Sequence, residues 1–320
     1  MRVHKDPVSY YDTISEQFNL PPYHRQFETH RIYSDGAKLH LDIFVYDKNA
    51  PTLIVVPGTA IYAMCYAELM CKIGHAGFNV IGMDPRGHGQ SSGIRGNYTI
   101  DEMTNDVSNV VSYANDLFND QVSVLGSSQG GIVAFYAAAK DARIKSVVCQ
   151  TVAILGRDDT LQLTRYQSLT KLMSSISGIA STILPYTKIP IAAYIDLKKH
   201  KLKYFGDLEN FLKKDPYALQ HITLRAIASL FNTKLSKEIK DIETPTFIIQ
   251  PQNDAIFPVQ YTERIFGELN CPKKIRTYKN TSHGILVNDV ELVLPDILNW
   301  LYKVHSADTC SLEELLAEFQ

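Results

Sequence analysis

The run Val122-Ser-Val-Leu-Gly-Ser-Ser-Gln-Gly-Gly131 constrains this chain more than any other segment. A short β-branched stretch (Val122, Val124) ends at Gly126, and Ile132-Val-Ala-Phe-Tyr-Ala-Ala-Ala-Lys140 follows as a strong helix former. Between them lies G-x-S-x-G, with Ser128 flanked by Gly126 and Gly130. The pattern predicts a strand that turns abruptly into a helix with the serine at the apex. Glycines flank it because so tight a turn leaves no room for Cβ atoms against strand and helix. The turn strains the backbone at Ser128 and pushes its hydroxyl outward. The pentapeptide recurs by chance in other chains, so its weight comes from the strand before it and the helix after it.

The chain has 320 residues, 45% hydrophobic and 21% charged, and carries a net charge of −2. That is ordinary for a globular protein and long enough for one large α/β domain with an inserted subdomain. No basic field points to nucleic acid. The most basic run, Lys198-Lys-His-Lys-Leu-Lys203, reads as a solvated helix face. Five cysteines (Cys65, Cys71, Cys149, Cys271, Cys310) form no CxxC and no zinc spacing, so reduced thiols are expected. The start, Met1-Arg-Val-His-Lys-Asp-Pro7, lacks the apolar core of a signal peptide. Ser, Pro, Tyr and Lys interrupt the longest apolar stretch, Ile176 to Ile195, which therefore does not read as a membrane span. These features predict a soluble, cytoplasmic protein.

Residues 1–26 are polar and aromatic without clear period and read as an N-terminal arm. Two strand-like runs follow, Phe27 to Tyr33 and Leu39 to Tyr46, around the turn signal Ser34-Asp-Gly36. Strands and helices then alternate. Leu53–Val56, Asn79–Met83, Val122–Leu125 and Lys145–Cys149 read as strands. Tyr62–His75, Ile100–Phe118 and 129–140 read as helices, with Thr99 as an N-cap. Such alternation predicts an α/β fold with a mostly parallel central sheet and helices on both faces.

The rhythm stops near Thr151. From Ala153 to about Lys240 the pattern is helical, with apolar stretches at Leu169–Leu184 and His221–Leu235. Strands resume at Thr246–Ile249 and at about Lys274–Tyr278. Asp289–Val304, with the single tryptophan Trp300, reads as the last core helix. Ser311-Leu-Glu-Glu314 is a capping-box pattern opening a short terminal helix. The expected organisation is an arm (1–26), a core (27–152 and 241–305), an inserted helical cap (153–240) and a C-terminal helix (306–320).

A serine hydroxyl is a poor nucleophile until a histidine accepts its proton and a carboxylate holds that histidine. Asp254 follows the strand Phe247–Gln250, within Gln250-Pro-Gln-Asn-Asp-Ala-Ile-Phe-Pro258. His283 follows the next strand, within Thr281-Ser-His-Gly284. Both fall just past strand C-termini, where open α/β sheets build their sites. Along the chain the three candidates come in the order Ser128, Asp254, His283.

Together with Val56-Pro-Gly-Thr59 and Asp84-Pro-Arg-Gly-His-Gly89 followed by Ser91-Ser92, these segments resemble the α/β-hydrolase serine esterases and lipases. The likeness is to the capped lysophospholipase and monoglyceride-lipase-like branch, over roughly residues 27–150 and 245–303. It implies the α/β-hydrolase fold and a carboxylic ester hydrolase acting through an acyl-enzyme on Ser128, with His283 as base and Asp254 as its orienter. The oxyanion hole would use the backbone N–H groups of Gln129, at the N-terminus of a helix, and Thr59. Relatives usually carry His-Gly where this chain has Pro57-Gly58, which removes a side chain able to brace that loop. No metal or organic cofactor is implied. The expected substrate is a small-molecule ester with an apolar acyl chain, such as a monoacylglycerol or lysophospholipid. A thioesterase, aminopeptidase or acyltransferase would share the triad, and a non-catalytic binding protein would keep the pocket. A dehalogenase would want aspartate at Ser128. Self-association through the arm or the terminal helix stays open.

Other residues have plainer readings. Ser127 lacks glycines at both flanking ±2 positions. In the family the segment holding Asp84, Arg86 and His88 is a structural loop. His75 suits a helix C-terminus, and His305 lies beyond the last core helix. Asp241 precedes its strand, Asp289 begins a helix, and Asp158 and Asp159 read as solvated. Leu169, Leu172, Met173 and Ile176 recur at helical spacing that fits either packing or a lid over a ligand.

Overall fold

The computed structural model describes residues 7–161, 180–193 and 195–306. Its centre follows from four runs too apolar to face water on either side. β3 (Thr52–Val56), β4 (Asn79–Asp84) and β5 (Val122–Ser127) are buried at every position, and β6 (Ile144–Gln150) at all but one. Strands buried on both faces belong in a parallel sheet covered by helices.

The sheet has eight strands in the order β1-β2-β4-β3-β5-β6-β11-β12. β1 (Glu28–Ser34) and β2 (Ala37–Phe44) form the expected hairpin, and β2 also runs antiparallel to β4. The remaining pairs are parallel, out to β11 (Thr246–Pro251) and β12 (Lys273–Tyr278). Register places Val56 beside Gly126 and Ser127 beside Gln150, so the C-terminal ends of β3, β5 and β6 meet at one edge.

Helices cover the sheet. α2 (Ala67–His75), α3 (Ile100–Leu117) and α4 (Gln129–Lys140) join α8 (Val259–Glu268) and, after the short α9 (Ile285–Asn288), α10 (Val290–Ser306). The predicted helix over Tyr62–His75 starts instead as a 3-10 turn at Ala63–Tyr66. Thr99 does cap α3. Its Oγ1 accepts from Glu102 N at 3.1 Å while Glu102 Oε2 accepts from Thr99 N at 2.8 Å. Trp300 of α10 is buried, and its Nε1 donates to Ser146 Oγ at 3.3 Å.

Two segments differ from the sequence expectation. Within the arm, Pro7–Phe18 forms α1, and Tyr10, Tyr11 and Ile14 enter the core. Those three share one helix face, but a stripe this short leaves too few repeats to show a period. The segment between β6 and β11 is mixed rather than wholly helical. After α5 (Asp158–Leu161), β7 (Lys188–Pro190) pairs with β10 (His221–Thr223), and β8 (Lys201–Leu202) with β9 (Gly206–Asp207). Two helices lie among them, α6 (Leu208–Lys214) and α7 (Leu224–Asn232). The basic run is therefore no helix face. It bends through a 3-10 turn at Leu197–Lys199 into β8, and Lys203 pairs with Glu68 at 3.0 Å. Arg225 of α7 grips Glu102 of α3 with two hydrogen bonds of 2.8 Å, tying this segment to the sheet layers.

Leu169, Leu172, Met173, Ile176, Cys310 and the 311–314 capping pattern lie outside the described residues. Among the described residues no helix is long and apolar enough to cross a membrane. Cys65, Cys71, Cys149 and Cys271 are buried free thiols.

Candidate active site

Ser128 stands between β5 and α4 with φ 55° and ψ −120°, a conformation that L-residues rarely adopt. The surrounding backbone fixes it there. A Cβ on Gly126 would come within 2.0 Å of Gly130 O, and one on Gly130 within 2.2 Å of Val56 O. Only glycine lets β3, β5 and α4 approach this closely. Ser127 donates to Gln150 Oε1 at 2.7 Å.

Ser128 Oγ lies 2.8 Å from His283 Nε2, and His283 Nδ1 lies 2.8 Å from Asp254 Oδ2. With the proton assigned to Nδ1, His283 donates to Asp254 and accepts from Ser128. The Asp254 side chain has no exposure, and its Oδ1 accepts from Ile256 N at 2.8 Å and Phe257 N at 3.0 Å. Burial pushes this carboxyl up, but the adjacent His283 and the hydrogen bonds outweigh it and hold it below its ordinary value. Three residues from distant parts of the chain thus form one hydrogen-bonded line at the C-terminal ends of β5, β11 and β12.

The His283 ring sits between two others. Phe257 stacks on it at 5.9 Å between centroids, and His200 meets it edge-on at 5.6 Å. His200 carries no sequence signal, since it stands within the basic run 198–203. No periodicity or spacing marks it.

The side chains of Thr59 and Gln129 meet beside Ser128. Thr59 Oγ1 donates to Gln129 Oε1 at 2.9 Å, and Tyr98 Oη donates to the same oxygen at 2.9 Å. The brace that Pro57 cannot supply comes from Tyr66, whose Oη accepts from Gly58 N at 3.3 Å. Tyr66 carries no sequence signal for this, since it reads as one apolar position of a predicted helix.

The remaining candidates hold structure. Asp84 accepts from Ala63 N at 2.9 Å and Gln90 N at 2.8 Å, and Arg86 grips Asp106 at 2.6 and 2.9 Å. His88 is buried against Tyr98 with Nδ1 3.0 Å from Arg86 O, and burial pushes it down to about 4, so it stays neutral. His75 bonds Gln26, and His305 bonds Ser123 Oγ at 2.9 Å at the far end of the sheet. Asp241 is exposed and precedes β11, while Asp289 immediately precedes α10. Asp159 departs from its solvated reading: its side chain is mostly covered and pairs with Arg157 at 3.3 Å. The Asp158 side chain lies outside the described residues.

Above Ser128 and His283 opens a pocket. Ile191, Ile195, Leu202 and Leu208 roof it, and Ile61 and Val287 line it from the core side. Among the described residues no cluster of three His, Cys, Asp or Glu side chains could hold a metal ion.

Residues 47–291 match the sequence profile of the family described as serine aminopeptidase, S33. The chain belongs to this family. A bifunctional esterase/perhydrolase from Acinetobacter calcoaceticus is 23% identical to this S33 protein, over 82% of this chain and 96% of its own length. A monoglyceride lipase homolog of monkeypox virus is 26% identical over 74% of this chain and 84% of its own. Among solved structures, a soluble variant of monoglyceride lipase from Saccharomyces cerevisiae matches with a TM-score of 0.71. It shares 19% identity and covers 87% of this chain and 95% of that one. The fold is that of the α/β-hydrolases, and the monoglyceride-lipase-like resemblance read from the motif segments is borne out.

Proposed function

We propose that this S33 family member is a carboxylic ester hydrolase that works through an acyl-enzyme on Ser128. The observation that carries the reading is the unbroken line from Ser128 Oγ through His283 to the buried Asp254, with both links at 2.8 Å. Ser128 Oγ attacks the acyl carbon as His283 Nε2 takes its proton. Negative charge then collects on the former carbonyl oxygen. The backbone N–H groups of Gln129 and Thr59 stabilise it, the first at the positive end of α4. His283 returns the proton to the leaving alcohol as the C–O bond breaks. Water, losing a proton to His283, attacks the acyl-enzyme; the acid departs and Ser128 regains its proton. Asp254 stays ionised throughout and holds the ring.

The family's name raises aminopeptidase chemistry as the rival. An aminopeptidase must neutralise a substrate ammonium group, which calls for a carboxylate facing the pocket. Among the described residues the pocket lining contains no Asp or Glu, and its side chains are mostly aliphatic. That favours an uncharged acyl chain, and with it a lipid ester such as a monoacylglycerol. Ile191, Ile195, Leu202 and Leu208 serve in this reading as the roof of the acyl site.

The test compares p-nitrophenyl esters from butyrate to palmitate with aminoacyl p-nitroanilides. Ester turnover without anilide turnover is expected. Faster cleavage of an aminoacyl anilide would replace this reading with the peptidase one.

A further inference from the structure

A second pocket, partly open to solvent, lies against α1, α2 and the turn at Tyr204 and Phe205. Tyr66 and Val287 line both this cavity and the catalytic pocket. The partition between the two spaces is therefore one side chain thick at those residues.

The chemistry of the wall decides what could enter. Most of its polar side chains are already paired. His24 uses both ring nitrogens, Nδ1 at 3.1 Å from Ser15 Oγ and Nε2 at 2.8 Å from Asp12 Oδ1. Glu68 receives Lys203 at 3.0 Å, Lys72 at 3.0 Å and Tyr204 Oη at 2.8 Å. Tyr11 Oη donates to Asp42 at 2.9 Å and Tyr62 Oη to Asp215 at 2.7 Å. What faces the space is hydrocarbon and aromatic ring, including Ile14, Leu20, Met64 and Phe205. A wall whose polar groups are mostly paired and whose remaining surface is apolar favours apolar guests. An alkyl chain fits that wall; a sugar, phosphate or ammonium group does not.

We propose that this cavity is a second ligand compartment, which receives the distal part of a long acyl chain whose ester end lies at Ser128. The passage runs between Tyr66 and Val287, the two residues that line both spaces. The identity of the chain rests on the ester-hydrolase reading. The apolar character of the compartment does not.

Leu20 is half-buried, lines the cavity from the end of α1, and lies outside the catalytic pocket. Leu20→Trp fills the cavity, and Ile14→Phe, on α1 itself, fills it from another wall. Circular dichroism establishes which variants fold. In each folded variant the ratio of kcat/KM for p-nitrophenyl palmitate to that for butyrate should fall about fivefold or more, as buried methylenes lose their site. A ratio equal to wild type overturns the proposal. Binding of n-decanol, measured by calorimetry on Ser128→Ala protein with and without Leu20→Trp, separates this from the enzymatic reading. Should wild type hydrolyse no ester, about tenfold weaker decanol binding with Leu20→Trp still supports the compartment, and equal binding overturns it. Weakened decanol binding with an unchanged ester ratio would make the cavity a separate lipid site and overturn its role for the substrate.

Discussion

At the scale of single residues, the chemistry turns on where protons sit. Asp254 is buried and accepts from His283 and two backbone N–H groups. Asp254→Asn presents an amide to Nδ1 and favours the wrong tautomer of His283. We expect kcat on a p-nitrophenyl ester to fall by about 10⁴-fold with the fold retained by circular dichroism. A fall of less than about tenfold would count against Asp254 as the orienting group. His88 carries a second consequence. Its folded value is about 4 against an ordinary 6.5, so between those values the unfolded chain binds a proton that the folded chain refuses. Stability therefore declines as pH drops from about 6.5 toward 4, with about 2 kcal/mol lost by pH 5. Urea unfolding at pH 7.5 and pH 5 should show that loss in wild type and a smaller one in His88→Gln. His40 behaves oppositely. Burial pushes it down, but Asp42 beside it prevails and raises it, so its contribution fades only as pH rises through its folded value. It is common to both proteins and cancels in the comparison. Ser128, Asp254 and His283 could be read in sequence because each is bound to a local pattern. His200 and Tyr66 could not, because their positions depend on contacts made far along the chain.

At the scale of elements, local rules worked wherever an element depends on its own residues. The strands β3 to β6 declared themselves by short apolar, β-branched runs, and α3 by its cap. Thr99→Ala removes the side-chain acceptor for Glu102 N and should destabilise the protein by about 1 kcal/mol in urea unfolding. No measurable change would mean that the grip of Arg225 on Glu102 already holds that helix end. The segment between β6 and β11 was harder to read. Its strands are two or three residues long. Pairs that short, such as β8 with β9 and β7 with β10, offer too few alternations to be told from the start of a helix.

At the scale of the molecule, the N-terminal residues matter more than an arm would. Tyr11 is 4% exposed, and its hydroxyl reaches Asp42 on β2. Tyr11→Ala should therefore cost about 3–5 kcal/mol, as a buried aromatic does. A cost below about 1 kcal/mol would show α1 to be dispensable. The sheet, its flanking helices and one edge of converging strand ends then account for the site as a whole. Everything proposed for that site depends on Ser128 being an activated nucleophile. The most direct measurement is labelling of intact protein by a fluorophosphonate probe, with the adduct located by mass spectrometry and Ser128→Ala run beside wild type. The account predicts one adduct, on Ser128, absent from the variant. An unlabelled wild type, or equal labelling of both proteins, would contradict it.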